Sequence, residues 1–104
     1  MARTPIHPGE ILADELVESG MTASELARIL RVPPNRITQI LAGKRAVTAD
    51  TALRLGQWLG ASPEFWLNLQ KLYELDLARQ TLTEELKAIP RRQAPTPELD
   101  AALK

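Results

Sequence analysis

The sequence predicts an all-α fold: a compact bundle of five short helices, then a C-terminal helical extension and a proline-rich tail. Three observations carry that expectation. Apolar residues recur at helical spacing, as in Ile37, Ile40 and Leu41. Each such segment is bracketed by capping residues on one side and by glycine or proline on the other. No stretch alternates polar and apolar residues with period two, the signature of a half-buried strand.

Pro8 opens the first helix, with Leu12 and Leu16 one turn apart, Val17 beside them, and Gly20 closing it. Thr22 caps the second; Glu25, three residues on, completes a capping box, and Met21 with Leu26 forms the hydrophobic staple around it. Its apolar stripe reads Leu26, Ala27, Ile29, Leu30. Val32-Pro33-Pro34 interrupts, because an interior proline forfeits a helical hydrogen bond, whereas Pro34 suits the first position of a third helix. That helix buries Ile37, Ile40 and Leu41 and stops at Gly43. A fourth runs from cap Thr48 to Gly60, with Ala52, Leu55 and Leu59 inward. Ser62-Pro63-Glu64 supplies cap, first-turn proline and first-turn acid to a fifth, in which Phe65, Leu69, Leu72 and Tyr73 keep helical spacing with Trp66 and Leu77 nearby. Residues 80–89 either continue this helix or start another, and Pro90 ends them. Residues 1–80 therefore read as one domain and 81–104 as an extension, whose Pro90, Pro95 and Pro97 disfavour a packed core.

Composition narrows the chemistry. With 44% hydrophobic and 25% charged residues the chain is an ordinary globular protein. There is no cysteine, so disulfides and thiolate catalysis are excluded. His7 is the only histidine, which argues against a metal site and places it in the lead-in to the first helix. Asp14, Glu15 and Glu18 include a carboxylate pair at i, i+4, but no nucleophile or glycine-rich pocket accompanies them, so no catalytic role is expected. No cofactor, signal peptide or membrane span is predicted, and the cytoplasm is the expected location.

The net charge is zero, yet its distribution is uneven. Residues 1–25 hold Arg3 against five acids, a balance of −4, while residues 26–54 hold Arg28, Arg31, Arg36, Lys44, Arg45 and Arg54 against Asp50 alone, a balance of +5. Phosphate binding responds to such a local patch. Within it, the second and third helices are short and about three residues apart, the spacing of a helix-turn-helix between about Thr22 and Gly43. If Ile37, Ile40 and Leu41 face the core, then Asn35, Arg36, Thr38 and Gln39 point away. Asn and Gln can bond adenine bidentately, Arg guanine, and the Thr methyl can touch thymine. The alternative is an ordinary polar helix face. Phosphate candidates surround this set: the helix start beside Thr22 and Ser24, Pro34 at the next helix start, and Lys44 and Arg45 just past the third helix. Lys44 and Arg45 serve equally as partners of that helix's C-terminal dipole.

Thr22-Ala23-Ser24-Glu25-Leu26-Ala27, then Ile37, Ile40 and Gly43-Lys44-Arg45, resembles the lambda-repressor-like (XRE) DNA-binding family. Three runs are similar more narrowly to the HigA group of toxin–antitoxin antidote proteins: His7-Pro8-Gly9-Glu10-Ile11-Leu12, Val32-Pro33-Pro34-Asn35-Arg36-Ile37, and Ser62-Pro63-Glu64-Phe65-Trp66-Leu67-Asn68-Leu69-Gln70. The resemblance covers about residues 5–80. It implies a homodimer that binds a palindromic operator in its own promoter, represses its operon, and pairs with a RelE-like, HigB-type ribonuclease toxin. The alternative is an XRE-type regulator with no toxin partner. Arg31 departs from the pattern, standing where the family's turn usually has glycine. A module this small covers one half-site, so a two-fold pair is expected on physical grounds too. Surplus apolar residues from Trp58 onward, with Phe65, Trp66, Leu69 and Tyr73, are the candidate dimer face, core packing being the other use for them.

Overall fold

The structure, a computed structural model, describes residues 4–93. These form six α-helices and no strand: α1 (Pro8–Ser19), α2 (Ala23–Leu30), α3 (Pro34–Leu41), α4 (Ala49–Leu59), α5 (Pro63–Thr81) and α6 (Thr83–Ala88). Pro95 and Pro97 of the expected tail lie outside the described residues.

Local chemistry fixes most boundaries. At α2 the Glu25 N–H donates to Thr22 Oγ1 at 3.1 Å and the Thr22 N–H donates to the Glu25 carboxylate at 2.8 Å, the reciprocal capping box that the spacing predicts. At α5 the Glu64 N–H donates to Ser62 Oγ at 3.1 Å. Thr48 caps α4 by backbone geometry alone, with no side-chain hydrogen bond. The α5–α6 break carries neither glycine nor proline. Leu82 leaves helical geometry at φ −103°, ψ 12°, where Thr81 and Thr83 turn their hydroxyls back onto the carbonyls of Ala78 and Arg79.

The turn after α2 keeps the left-handed geometry that its sequence makes costly. Arg31 has φ 62° and ψ 46°, and it is the one non-glycine residue with positive φ among the described residues. The Arg31 N–H donates to Arg28 O at 3.2 Å and the Val32 N–H to Ala27 O at 3.0 Å, while the Val32 side chain is buried against the helix end. This is the Schellman arrangement, and it directs the chain sharply into α3.

α2 packs on α3 and α4, α1 on α3 and α5, and α4 on α5. The core comprises Leu12, Leu16, Leu26, Ala27, Leu30, Val32, Ile37, Ile40, Val47, Ala52, Leu55 and Trp66. Several apolar residues fall elsewhere than expected. Val17 is 81% exposed, and Ile29 also faces outward, because α1 and α2 each bury a narrower stripe than their sequences offer. In α5 the buried positions are Trp66 and Gln70, with Tyr73 half-buried on the same line, while Phe65, Leu72 and Leu77 lie outside. The helix is therefore rotated from the face that its spacing suggests. A polar residue, Gln70, occupies a core position.

Trp66 requires a correction. Its side chain is 1% exposed and fills the centre of the core, so the monomer itself uses a ring that the sequence makes a candidate for the dimer face. Trp58, Leu69 and Tyr73 remain half-buried and Phe65 is 48% exposed.

Candidate nucleic-acid interface

α3 separates its two sides cleanly. Ile37 and Ile40 are fully buried, which holds the helix by its inner face; Asn35, Thr38 and Gln39 are exposed opposite them. Thr38 turns its hydroxyl back to the Asn35 carbonyl at 3.3 Å, leaving its methyl as the outward group.

Arg36 behaves differently from the other three. Its Nη1 lies 2.6 Å from Asp50 Oδ1, and its side chain is only 29% exposed. The same carboxylate oxygen takes the Arg54 Nε–H at 2.7 Å, and Arg54 Nη1 donates to the Leu30 carbonyl at 2.7 Å. The hydrogen bonds from Arg54, then from Arg36, hold the Asp50 carboxyl below the usual carboxylate range. α4 is thus joined to the end of α2 and the outer side of α3 by one exposed ionic relay. Arg36 is therefore tethered to Asp50, unlike the other three side chains of the outer face. Sequence reading missed this network, although Asp50 and Arg54 stand at the i, i+4 spacing that would have suggested half of it.

The phosphate candidates divide as well. Lys44 and Arg45 are both exposed on the loop between α3 and α4. A cleft of about 230 Å³ lined by Arg36, Arg45, Thr48, Asp50 and Thr51 opens beside them. At the start of α2, the Thr22 N–H donates to the Glu25 carboxylate and Thr22 Oγ1 accepts the Glu25 N–H, so the N–H groups of Ala23 and Ser24 are the donors that lack an intrahelical partner there. The hydrogen bonds to Thr22 also hold the Glu25 carboxyl below its ordinary range. Pro34 lies at the first position of α3, as expected, but a proline has no N–H to donate and can only shape that helix start.

Two buried polar side chains, neither given a functional role by the sequence alone, reach this loop from behind. Gln70 Oε1 accepts the Val47 N–H at 2.9 Å. His7 caps α1, its Nδ1 accepting the Gly9 N–H at 2.9 Å, and its ring stands edge-on to Tyr73 with centroids 4.8 Å apart. Burial lowers the His7 pKa, while hydrogen bonding to the Arg45 backbone and the nearby Glu10 carboxylate oppose that shift.

Comparison with known proteins places this geometry in a family. The Helix-turn-helix family model matches residues 12–66. An addiction-module antidote protein of the HigA family from Coxiella burnetii superposes with a TM-score of 0.83 at 48% identity, covering 86% of this chain and all of that one. The chain belongs to the HigA family. A second HigA-family structure, the Pseudomonas aeruginosa antitoxin HigA with the higBA promoter, has a TM-score of 0.82 at 37% identity, covering 88% of this chain and 100% of that one. Virulence-associated protein I of Dichelobacter nodosus is 47% identical over 76 residues, which are 72% of this chain and 70% of the relative. HigA-family chains are helix-turn-helix DNA-binding regulators and not enzymes. Among the described residues no group of acidic and histidine side chains has metal-site geometry, and no helix is long and apolar enough to cross a membrane.

Proposed function

We propose that this chain is an operator-binding repressor that works as a two-fold homodimer, and that it is the antitoxin of a toxin–antitoxin pair. In this reading it silences its own operon and neutralises a RelE-like, HigB-type toxin that cleaves mRNA. The observation that carries the DNA-binding half is the outer face of α3, where Asn35, Thr38 and Gln39 stand exposed over a fully buried Ile37 and Ile40. Such amide and hydroxyl side chains recognise base edges in the major groove. Arg36 joins them once released from Asp50. Lys44, Arg45 and the α2 start beside Ser24 take backbone phosphates, with Thr22 and Pro34 shaping the helix ends. A relative of the same fold, 37% identical, is solved with the higBA promoter, which supports DNA binding as the activity of this chain.

Dimerisation is supported by the apolar surface left over around α5. Trp58, Phe65, Leu69 and Tyr73 stay partly or largely open while the core is already closed by Trp66. A symmetric pair would set the two α3 helices about 34 Å, or one DNA turn, apart. Footprinting on the chain's own upstream DNA, combined with co-expression alongside the neighbouring gene product, tests the whole reading. An inverted repeat with that half-site spacing and a stable complex with a small ribonuclease are the expected results. A footprint without any co-purifying neighbour would leave a stand-alone XRE-type regulator. Protection of a single half-site by a monomer would refute the dimer.

A further inference from the structure

The loop from Ala42 to Thr48 leaves α3 and enters α4 with Lys44 and Arg45 at its tip. Its first bonds are local: the Gly43 N–H donates to Ile40 O at 3.0 Å and the Lys44 N–H to Gln39 O at 2.9 Å. Beyond Lys44 the backbone is held by two side chains that reach it from α1 and α5.

From α5, Gln70 takes the Val47 N–H on its amide oxygen at 2.9 Å and gives its amide N–H to Glu74 Oε2 at 3.0 Å. A carboxylate accepts only, so Glu74 fixes which end of the amide is which and directs the oxygen to Val47. Leucine at position 70 would pack beside Trp66 equally well as an apolar residue, but it would leave the buried Val47 N–H without an acceptor.

From α1, His7 accepts the Gly9 N–H on Nδ1, so the neutral ring carries its proton on Nε2. The ring also lies against Gly43, where an added Cβ would sit 3.9 Å from His7 Cγ. Its placement depends on α1 meeting the end of α3 without a gap. At Gly9, a Cβ would fall 2.0 Å from the Ile40 carbonyl oxygen, so no other residue permits that approach. Tyr73 supports the far edge of the ring. Positions 43 and 47 thereby meet buried side chains from behind, and between them Lys44 and Arg45 are exposed.

We propose that His7 and Gln70 are positioning residues for DNA binding, clamping the α3–α4 loop from α1 and α5 so that Lys44 and Arg45 meet the phosphate backbone already ordered. This rests on the reading of Lys44 and Arg45 as phosphate contacts. It gives a physical reason for the two motif runs that lie outside the helix-turn-helix, since His7-Pro8-Gly9-Glu10 and the run ending in Gln70 converge on one loop.

The test uses the full chain and a fluorescent duplex of mixed sequence, with affinity read by anisotropy over a salt series. Gln70→Met keeps the volume and loses both hydrogen bonds. It should weaken binding about 10- to 100-fold and lower the slope of log affinity against log salt, since a loop no longer held in place fails to bring both cations to their phosphates. Exchange of the Val47 amide, followed by NMR, should accelerate. The double variant Gln70→Glu with Glu74→Gln restores an acceptor for Val47 and a donor between the two side chains, and should recover both slope and protection. Leu16→Ala, a core truncation remote from the loop, should lower stability and leave the slope unchanged. If Gln70→Met does not fold, His7→Asn carries the test: asparagine keeps the cap on α1 but lacks the ring that lies against Gly43, and the same loss of slope is expected. A wild-type slope in whichever variant folds, while Lys44→Ala lowers it, overturns the clamp. A wild-type slope in Lys44→Ala and Arg45→Ala refutes the phosphate reading, and the clamp falls with it.

Discussion

Arg31 closes α2 in a conformation that disfavours any side chain, at φ 62° and ψ 46°. For an L residue other than glycine this region costs about 1–2 kcal/mol. Glycine avoids that cost but has more backbone freedom to lose on folding, which returns about 0.5–1 kcal/mol. Arg31→Gly should therefore stabilise the fold by about 0.5–1 kcal/mol. In a domain of this size that corresponds to about 3–6 °C in Tm. The hydrogen bonds at this turn come from the Arg31 and Val32 N–H groups, and Arg54 reaches the carbonyls of Leu30 and Arg31, all of which glycine retains. Arg31→Ala is the matched control, since it removes the same charge and keeps the Cβ. Urea unfolding followed by circular dichroism, with calorimetry for Tm, should rank Gly above both Arg and Ala. A glycine variant no more stable than the alanine one would show that the turn carries no strain and that the reasoning is wrong.

Four further outcomes are expected. Gln39→Ala should cost about 1–3 kcal/mol at the operator and relax base preference at one position, as read by binding to a panel of single-base variants. Lys44→Ala and Arg45→Ala should each weaken specific and non-specific DNA alike and lower the salt slope by about 1 for every phosphate left unneutralised on each protomer, by anisotropy titration. Asp50→Asn, which removes the charge holding Arg36 and Arg54, should raise affinity for non-specific duplex and narrow the ratio between operator and random DNA; an unchanged ratio in competition assays counts against the relay. Burial depresses the His7 pKa, so the unfolded chain takes up the proton first. Stability is then fully present above about pH 6.5 and declines as pH falls through the lower folded-state value. Urea unfolding from pH 7 to pH 5 should show a steeper decline in the wild type than in His7→Asn, with the Glu10 carboxylate, whose charge acts on the ring, common to both.

What the sequence made legible was what acts over one helical turn. The Thr22–Glu25 box, the Ser62 cap, the proline at position 34 and the closing glycines each report on neighbours three or four residues away, and each appears where expected. So does the inner stripe of α3, because Ile37 and Ile40 leave little choice of face. The rotation of α5 was not legible. Its sequence offers apolar residues on every side, and the choice of Trp66 and Gln70 depends on a Val47 amide 23 residues earlier. His7 escaped for the same reason. A lone histidine before a proline reads as a lead-in until the fold brings Tyr73 and the Arg45 backbone to its ring. The Arg36–Asp50 pair spans 14 residues and two helices, so the outward face of α3 reads as four equivalent side chains when it holds three and a tethered fourth.

Trp66 gives the molecule an optical property that follows from its burial. Its indole Nε1 has no hydrogen-bond partner among the described residues, and the ring sits against Phe65 with centroids 5.3 Å apart. An indole in such dry surroundings emits at the blue end of the tryptophan range and is shielded from dissolved quenchers. The other tryptophan, Trp58, is half-buried on the surface proposed for dimer contact, so iodide should quench it in a monomer and a dimer formed through that surface should protect it. The two emissions separate folding from assembly in a single spectrum, without a label.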